Sequence, residues 1–300
     1  MTEYNYDQKI ITLALAKYAG VNPRTFDLLL RSFGSLDNIL AAEESELAAI
    51  MGNSGDSAHK VSHAPESLKT AAKESAELAQ KKIALTTRFD NDYPSHLFEI
   101  NDPPPLFYSR GNIPDINEKS VALMGAIRAS QEGIALTTKL VKELVARRVQ
   151  LISSLDVGIA SAVHLSTKAG GGKSYAIIDC GLDRIEGEGA IPMAIDLIQT
   201  GGVISEYDPD RTFEQKKFAE SNRLIAGMSQ AVIVTEFYED SNRVHDILEY
   251  CHQIGKLSFI LTDTEFGLLS DEKSLAQAVK HGAILMNGLE KIDDIVKVLV

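Results

Sequence analysis

"AGGGKSYAIIDCG", residues 169–181, decides the fold. Three glycines run into a lysine and a serine, and an apolar stretch follows, which invites comparison with a phosphate-gripping loop. A Walker A loop needs glycine, four spacers and then Gly-Lys-Ser/Thr, so that backbone N–H groups curl around the phosphates. With Gly172, Lys173 and Ser174 as the closing triplet, the opening glycine would fall at position 167, where Thr167 stands. The order of elements is also reversed. A P-loop joins a strand to a helix, whereas "VHLSTKA" reads as a helix end and "YAIIDC" as a strand. Gly170 and Gly171 therefore read as a helix C-cap and turn, and no ATP turnover dependent on Lys173 is expected.

Helix, turn and strand recur on both sides of that stretch. From residue 119 onward, "SVALMG", "VQLISS", "SYAIID", "GGVISE", "AVIVTE", "LSFILT" and "AILM" are short runs rich in Val and Ile. Helical stretches such as "GIALTTKLVKELVARR" and "NRVHDILEYCHQIG" separate most of them. Apolar runs without strict alternation suit parallel strands buried on both faces. The pattern predicts an α/β fold with a doubly wound, mostly parallel Rossmann-like sheet over 119–300, its ligands at the carboxyl ends of the strands.

Before it, residues 1–80 read as a small helical domain. "NPRTFDLLLRSFG" opens with an Asn cap and a first-turn Pro and closes at Gly34. "GNSGDSAHKVSHAP", residues 52–65, reads as a loop, and "ESLKTAAKESAELAQKK" as a charged amphipathic helix. Residues 81–118 hold most of the prolines and read as an ordered, extended connector.

Composition bounds the function. Of 300 residues, 44% are hydrophobic and 24% charged, which is ordinary for a globular protein with a sizeable core. No apolar run is long enough to span a bilayer, and "MTEYNYDQK" has no signal-peptide pattern, so no membrane association and a cytoplasmic location are expected. The two cysteines, Cys180 and Cys251, indicate neither a disulfide framework nor a cysteine metal site. His59, His63, His245 and His252 show no ligand spacing with cysteines or acidic pairs, so no metal and no cofactor are expected. A net charge of −12 argues against a surface that coats nucleic acid generally, while leaving room for a local basic pocket.

The strand ends, read in order, carry a resemblance. "FGSLDNIL", "DNDYPSHLFEINDPPPLFYSRGN" and "SNRLIAGMS" are similar, in that order, to the N-terminal domain, the connector and an RNR-I-I-A-G-L-S motif of the DNA-processing protein A (DprA/Smf) family. That family belongs to a wider group of Rossmann-like nucleotide- and DNA-binding domains shared with cytokinin-activating enzymes, and the resemblance spans nearly the whole chain. The chain also departs from the pattern. Val-Gly-Ser-Arg becomes Met124-Gly125-Ala126-Ile127, with an arginine one place late at Arg128. Ser-Gly-Leu-Ala-x-Gly-Ile-Asp becomes Ser153 to Ala160, losing a glycine and the aspartate. Arg-Asn-Arg becomes Ser221-Asn222-Arg223, and a Ser-Gly-Ser turn becomes Ser241-Asn242-Arg243. Glycines let a backbone approach phosphate and arginines supply the fork that grips it, so this is a divergent member with an eroded phosphate-binding pocket.

The resemblance implies a protein of DNA uptake or recombination that binds single-stranded DNA without cutting it, helps load a RecA-type recombinase and forms a homodimer. The expected contact set is Gly125, Arg128, Ser130, Lys173, Asn222 and Arg223, lining one cleft at the strand ends. Several have a plainer reading. Lys173 suits a solvated surface lysine as well as a DNA contact. Arg128 is a surface arginine out of register or a phosphate ligand at the start of a helix for which Ser130 is the cap. Arg223 grips phosphate or braces Glu206 or Glu236. Those two strand-end carboxylates could act together on a sugar–base bond, the minority enzymatic reading. His164 reads as a structural hydrogen-bonder, and "DTEFGLLSDEK" as a solvated acidic loop. The alternative function is a nucleotide- or nucleotide-sugar-binding sensor or hydrolase. The third is an interaction module without a ligand.

Overall fold

The computed structural model describes residues 6–52, 55–187, 189–213, 218–262 and 269–299. It forms two compact units, one of residues 1–93 and 101–108, the other of residues 94–100 and 109–300. The units divide at 93 and 108, inside the segment expected to connect them.

Among the described residues the first unit holds six α-helices: α1 (Gln8–Leu13), α2 (Pro23–Phe33), α3 (Leu36–Ala41), α4 (Glu44–Met51), α5 (Gly55–Ser62) and α6 (Ala64–Gln80). Their ends follow local chemistry. Asn22 caps α2 by accepting from Thr25 N at 2.9 Å, Pro23 opens the helix, and Gly34 ends it. Glu43 and Glu46 form a reciprocal capping box at α4. The stretch 52–65, expected as a loop, is largely helical instead. Ala58 and Val61 are fully buried, so packing of small side chains overrides a composition of weak helix formers. Strand β1 (Ala84–Thr87) follows, neighboured by β2 (Leu106–Gly111), whose last residues belong to the second unit.

In the second unit the chain alternates through β3 (Ser120–Met124), α7 (Gln131–Ala146), β4 (Gln150–Ser154), α8 (Ile159–Ala169), β5 (Ser174–Ile177), α9 (Ala190–Thr200) and β6 (Gly202–Ser205). It then passes through α10 (Phe218–Met228), β7 (Ala231–Val234), α11 (Asn242–Ile254), β8 (Leu257–Thr262), α12 (Glu272–Lys280), β9 (Ile284–Asn287) and α13 (Ile292–Val298). The strands lie in the order β6-β5-β4-β3-β7-β8-β9, and every pair in that series is parallel. Val121 of β3 stands opposite Leu151 on one side and Ala231 on the other. The opening stretch folds as read: α8 ends at Ala169, Gly170 caps it, and Lys173 leads into β5.

The sheet is buried on both faces because helices cover both. Alternate residues Val121, Leu123, Leu151, Ile233 and Leu261 form one core with Leu136, Leu140 and Leu144 of α7 and Ile292 and Ile295 of α13. The opposite face packs against α10 and α11. The chain winds from β3 out to β6, returns, and starts again at β7 beside β3. This reversal is the topological switch point, where an open α/β sheet forms its crevice. Among the described residues no helix is long and apolar enough to cross a membrane.

Candidate functional site

Parallel strands point their carboxyl ends one way, so the loops after β3, β4, β5, β6 and β7 share one edge. Gly125, Arg128 and Ser130 lie there, in the loop from β3 to α7. Ser130 is the N-cap of α7, its Oγ accepting from Gly133 N at 2.9 Å. The backbone N–H of Ser130 is already engaged. It donates to both carboxylate oxygens of Glu236, each at 3.0 Å. Glu236 follows β7 across the switch point and is fully buried.

A helix N-terminus attracts anions through unpaired N–H groups and the helix dipole. Here the anion is the protein's own carboxylate. Gly133 makes room for it, since a Cβ at that position would stand 1.7 Å from Glu236 Oε2. Tyr238 Oη also donates to Glu236, at 2.9 Å; burial and this carboxylate push the Tyr238 phenol up to about 12. The loop after β4 packs on the same turn. Gly158 has φ +80°, and a Cβ there would meet the carbonyl oxygens of Ile127 at 2.3 Å and Ala126 at 2.4 Å. The tip is left in solvent: Ile127, Arg128 and Val157 are exposed. Arg128 has no hydrogen bond or ion pair among the described residues, so its guanidinium is available.

A second cluster centres on Arg243, at the start of α11. Its side chain is 6% exposed, and the guanidinium meets Asp179 Oδ2 at 2.6 Å, Asp156 Oδ2 at 3.1 Å and Ser221 Oγ at 2.8 Å. Asp156 and Asp179 follow β4 and β5 directly, and Ser221 lies on α10. Burial raises the Asp179 carboxyl, against the opposing pull of Arg243. Asn222 is buried, its Nδ2 donating to the Arg243 carbonyl at 3.0 Å. Arg223 is buried against Glu206, Nη2 to Oε1 at 2.6 Å. Tyr207 Oη donates to Glu220 at 2.6 Å, and burial foremost drives its pKa upward.

The expected contact set is thus brought together only in part. Gly125, Arg128 and Ser130 share the edge. Asn222 and Arg223 lie near it but face inward, spent on protein partners. Lys173 stands at the opposite edge. It precedes β5, so it belongs to the amino ends of the strands, where Nζ pairs with Glu118 at 2.7 Å. It does not line the cleft. Arg243, read in the sequence only as part of the Ser241-Asn242-Arg243 turn, stands at the start of α11 in the connection that follows β7, on the carboxyl edge. Its link to Ser221 also returns a guanidinium to the place where the family pattern has the first arginine of Arg-Asn-Arg.

The histidines divide as well. His164 is fully structural: Nε2 donates to the Ser154 carbonyl at 2.8 Å, Nδ1 lies 3.2 Å from Ser174 Oγ, and burial lowers its pKa to about 4. His59 and His63, set aside as lacking ligand spacing, come together with Glu44, their ligand atoms within 4.8 Å of one another. The strand-end carboxylates Glu206 and Glu236 each have a structural engagement, Glu206 with Arg223 and Glu236 with Ser130. Of the acidic stretch 263–273, residues 263–268 lie outside the described residues.

A family model for DNA recombination-mediator protein A matches residues 84–299. A Protein Smf of Synechocystis is 29% identical over 233 residues, covering 75% of this chain and 57% of that protein. The chain therefore spans little more than half the length of that relative. The X-ray structure of DNA processing protein A from Streptococcus pneumoniae superposes with a TM-score of 0.76 at 22% identity, covering 98% of this chain and 99% of that one. DNA processing protein A from Helicobacter pylori, whose structure addresses its single-stranded DNA binding mode, gives a TM-score of 0.61 at 19% identity over 73% of this chain and 98% of that one. At these identities the structural likeness concerns the fold.

Proposed function

The chain belongs to the DNA recombination-mediator protein A family, the DprA/Smf proteins. From that premise we propose that it binds single-stranded DNA without cutting it, works as a homodimer and passes the strand to a RecA-type recombinase. One observation carries the DNA-binding part: Arg128, at the tip of the β3–α7 loop on the switch-point edge, is exposed and uncommitted. The edge beside it is lined by carboxylates that are largely balanced by Arg223, Arg243 and Ser130. Binding therefore rests on few phosphate contacts, with neighbouring backbone N–H groups and the apolar tip residues Ile127 and Val157 as further surface.

The same geometry supports a non-catalytic role. A general acid or base must reach the proton it moves, and Glu206 and Glu236 are held instead by Arg223 and by the start of α7. The experiment is a fluorescence titration of a labelled oligo-dT with the full chain at about 50 and about 200 mM salt. Each phosphate contact on a single strand contributes about −0.7 to the slope of log K against log salt, so a slope of about −1.4 is expected for about two contacts. Absence of binding at the lower salt would overturn the proposal.

A second reading, a small nucleotide ligand, draws on Asp179 Oδ1 and Asn222 Oδ1. Both are buried without a partner among the described residues, and buried acceptors call for donors such as a base's amino groups. Thermal stabilisation by mononucleotides, with no retention on oligo-dT, is the result that selects it.

A further inference from the structure

The N-terminal helical unit holds a cluster of ligating side chains unrelated to the strand ends. We propose that Glu44, His59 and His63 form a Zn²⁺ site. His59 lies in the last turn of α5, and His63 is the single residue between α5 and α6, so the two imidazoles are separated by three residues, as in many zinc sites. Their ring centroids are 4.1 Å apart. Glu44 is the first residue of α4, and the capping box occupies its neighbours Glu43 and Glu46, leaving the Glu44 carboxylate for another partner. That partner is His59, whose Nδ1 lies 3.0 Å from Glu44 Oε2.

The hydrogen bond of His63 prepares that imidazole for a metal. His63 Nδ1 lies 2.9 Å from the His59 carbonyl oxygen, which can only accept, so the proton sits on Nδ1 and the lone pair on Nε2. A ring N–H donated to a backbone carbonyl is the usual way a ligating imidazole is oriented. A further carboxylate, Glu66, stands 4.0 Å from His63 Nε2 and is within reach of a fourth position. Zinc at about 2.0–2.1 Å from each donor places tetrahedral ligand atoms about 3.3 Å apart. At 3.0 Å His59 Nδ1 donates to Glu44, so zinc would take the place of that proton, which moves to Nε2, while the ligand atoms of the full cluster lie within 4.8 Å of one another. The three side chains are 47–57% exposed or within that span, which leaves them free to rotate and accessible to the ion. Two imidazoles and a carboxylate form a donor set suited to zinc rather than magnesium, which prefers oxygen ligands. The ion would tie the start of α4 to the α5–α6 junction.

The test is calorimetric titration of the chelator-stripped full chain with ZnCl₂ at neutral pH, alongside His59→Ala, His63→Ala, Glu44→Gln and His252→Ala. One site per chain is expected, weakened about tenfold or more by either histidine change and less by Glu44→Gln. MgCl₂ should give no comparable heat. His252 stacks on His281 at 5.8 Å in the other unit and is the control: His252→Ala should keep the parent's affinity. All three ligands are surface groups, so far-ultraviolet circular dichroism of the zinc-free variants should match the parent. Zinc binding that survives both His59→Ala and His63→Ala, that falls with His252→Ala, or that is absent at millimolar zinc overturns the site.

Discussion

Arg128 and Arg243 stand on the same edge of the same sheet, one in the loop after β3 and the other just after β7, yet their surroundings differ. Arg243 is buried among Asp156, Asp179 and Ser221. Arg128 is in solvent with no partner among the described residues. A buried guanidinium ringed by carboxylates organises the fold and presents little net charge outward. An exposed one costs the fold almost nothing and can meet a phosphate. Among the described residues, the strand-end edge is therefore a buried polar layer with Arg128 exposed at its tip, in keeping with a net charge of −12.

The largest expected effect breaks the buried half of that contrast. Arg243→Ala leaves Asp156 and Asp179 without their cation and should destabilise the protein by about 3–5 kcal/mol in urea unfolding, since removing one partner strands a buried charge. A loss below about 1 kcal/mol would mean that the cluster is better solvated than its burial implies.

The next prediction concerns His164, beneath the same edge. Its pKa is lowered by burial from 6.5 to about 4 in the folded protein. Between those values the unfolded chain takes up a proton that the folded chain refuses, so stability falls as pH drops through this window. The loss should approach about 3 kcal/mol for a shift of this size. Comparing unfolding at several pH values for the parent and His164→Asn should show stability falling more steeply with acid in the parent, by about this amount.

Legibility in the sequence followed the range of the interactions. The parallel sheet could be read because each strand is a contiguous apolar run, and Ser130 as a cap because it bonds three residues ahead. For Arg223 the sequence left phosphate, Glu206 and Glu236 open as partners, and the structure pairs it with Glu206. Glu236 and Ser130 are 106 residues apart, and nothing local in "VTEFYED" says that its carboxylate fills the start of α7. Lys173 is different, because its edge was readable: a residue that precedes a parallel strand lies at the amino end. Lys173 entered the contact set through the family resemblance and not through its position in the chain. His59 and His63 carried helical spacing, but their third partner lies on another helix, 15 residues before His59.

A smaller effect is expected at Glu236. Glu236→Ala should cost about 2 kcal/mol by leaving the Ser130 N–H and the first turn of α7 without their anion. Sulfate should then raise the melting temperature of the variant more than that of the parent, because the vacated helix start accepts an external anion. Equal sulfate effects would show that Glu236 does not occupy an anion site.

The smallest effect on stability belongs to Arg128→Ala, within about 0.5 kcal/mol, as for other surface changes. Its effect on binding is the most direct test of the account. Titration of labelled oligo-dT across a series of salt concentrations should show the variant binding more weakly than the parent, with the slope of log K against log salt shallower by about 0.7, one phosphate contact. The same affinity and the same slope in the two proteins would place the DNA elsewhere and contradict the assignment of the switch-point edge.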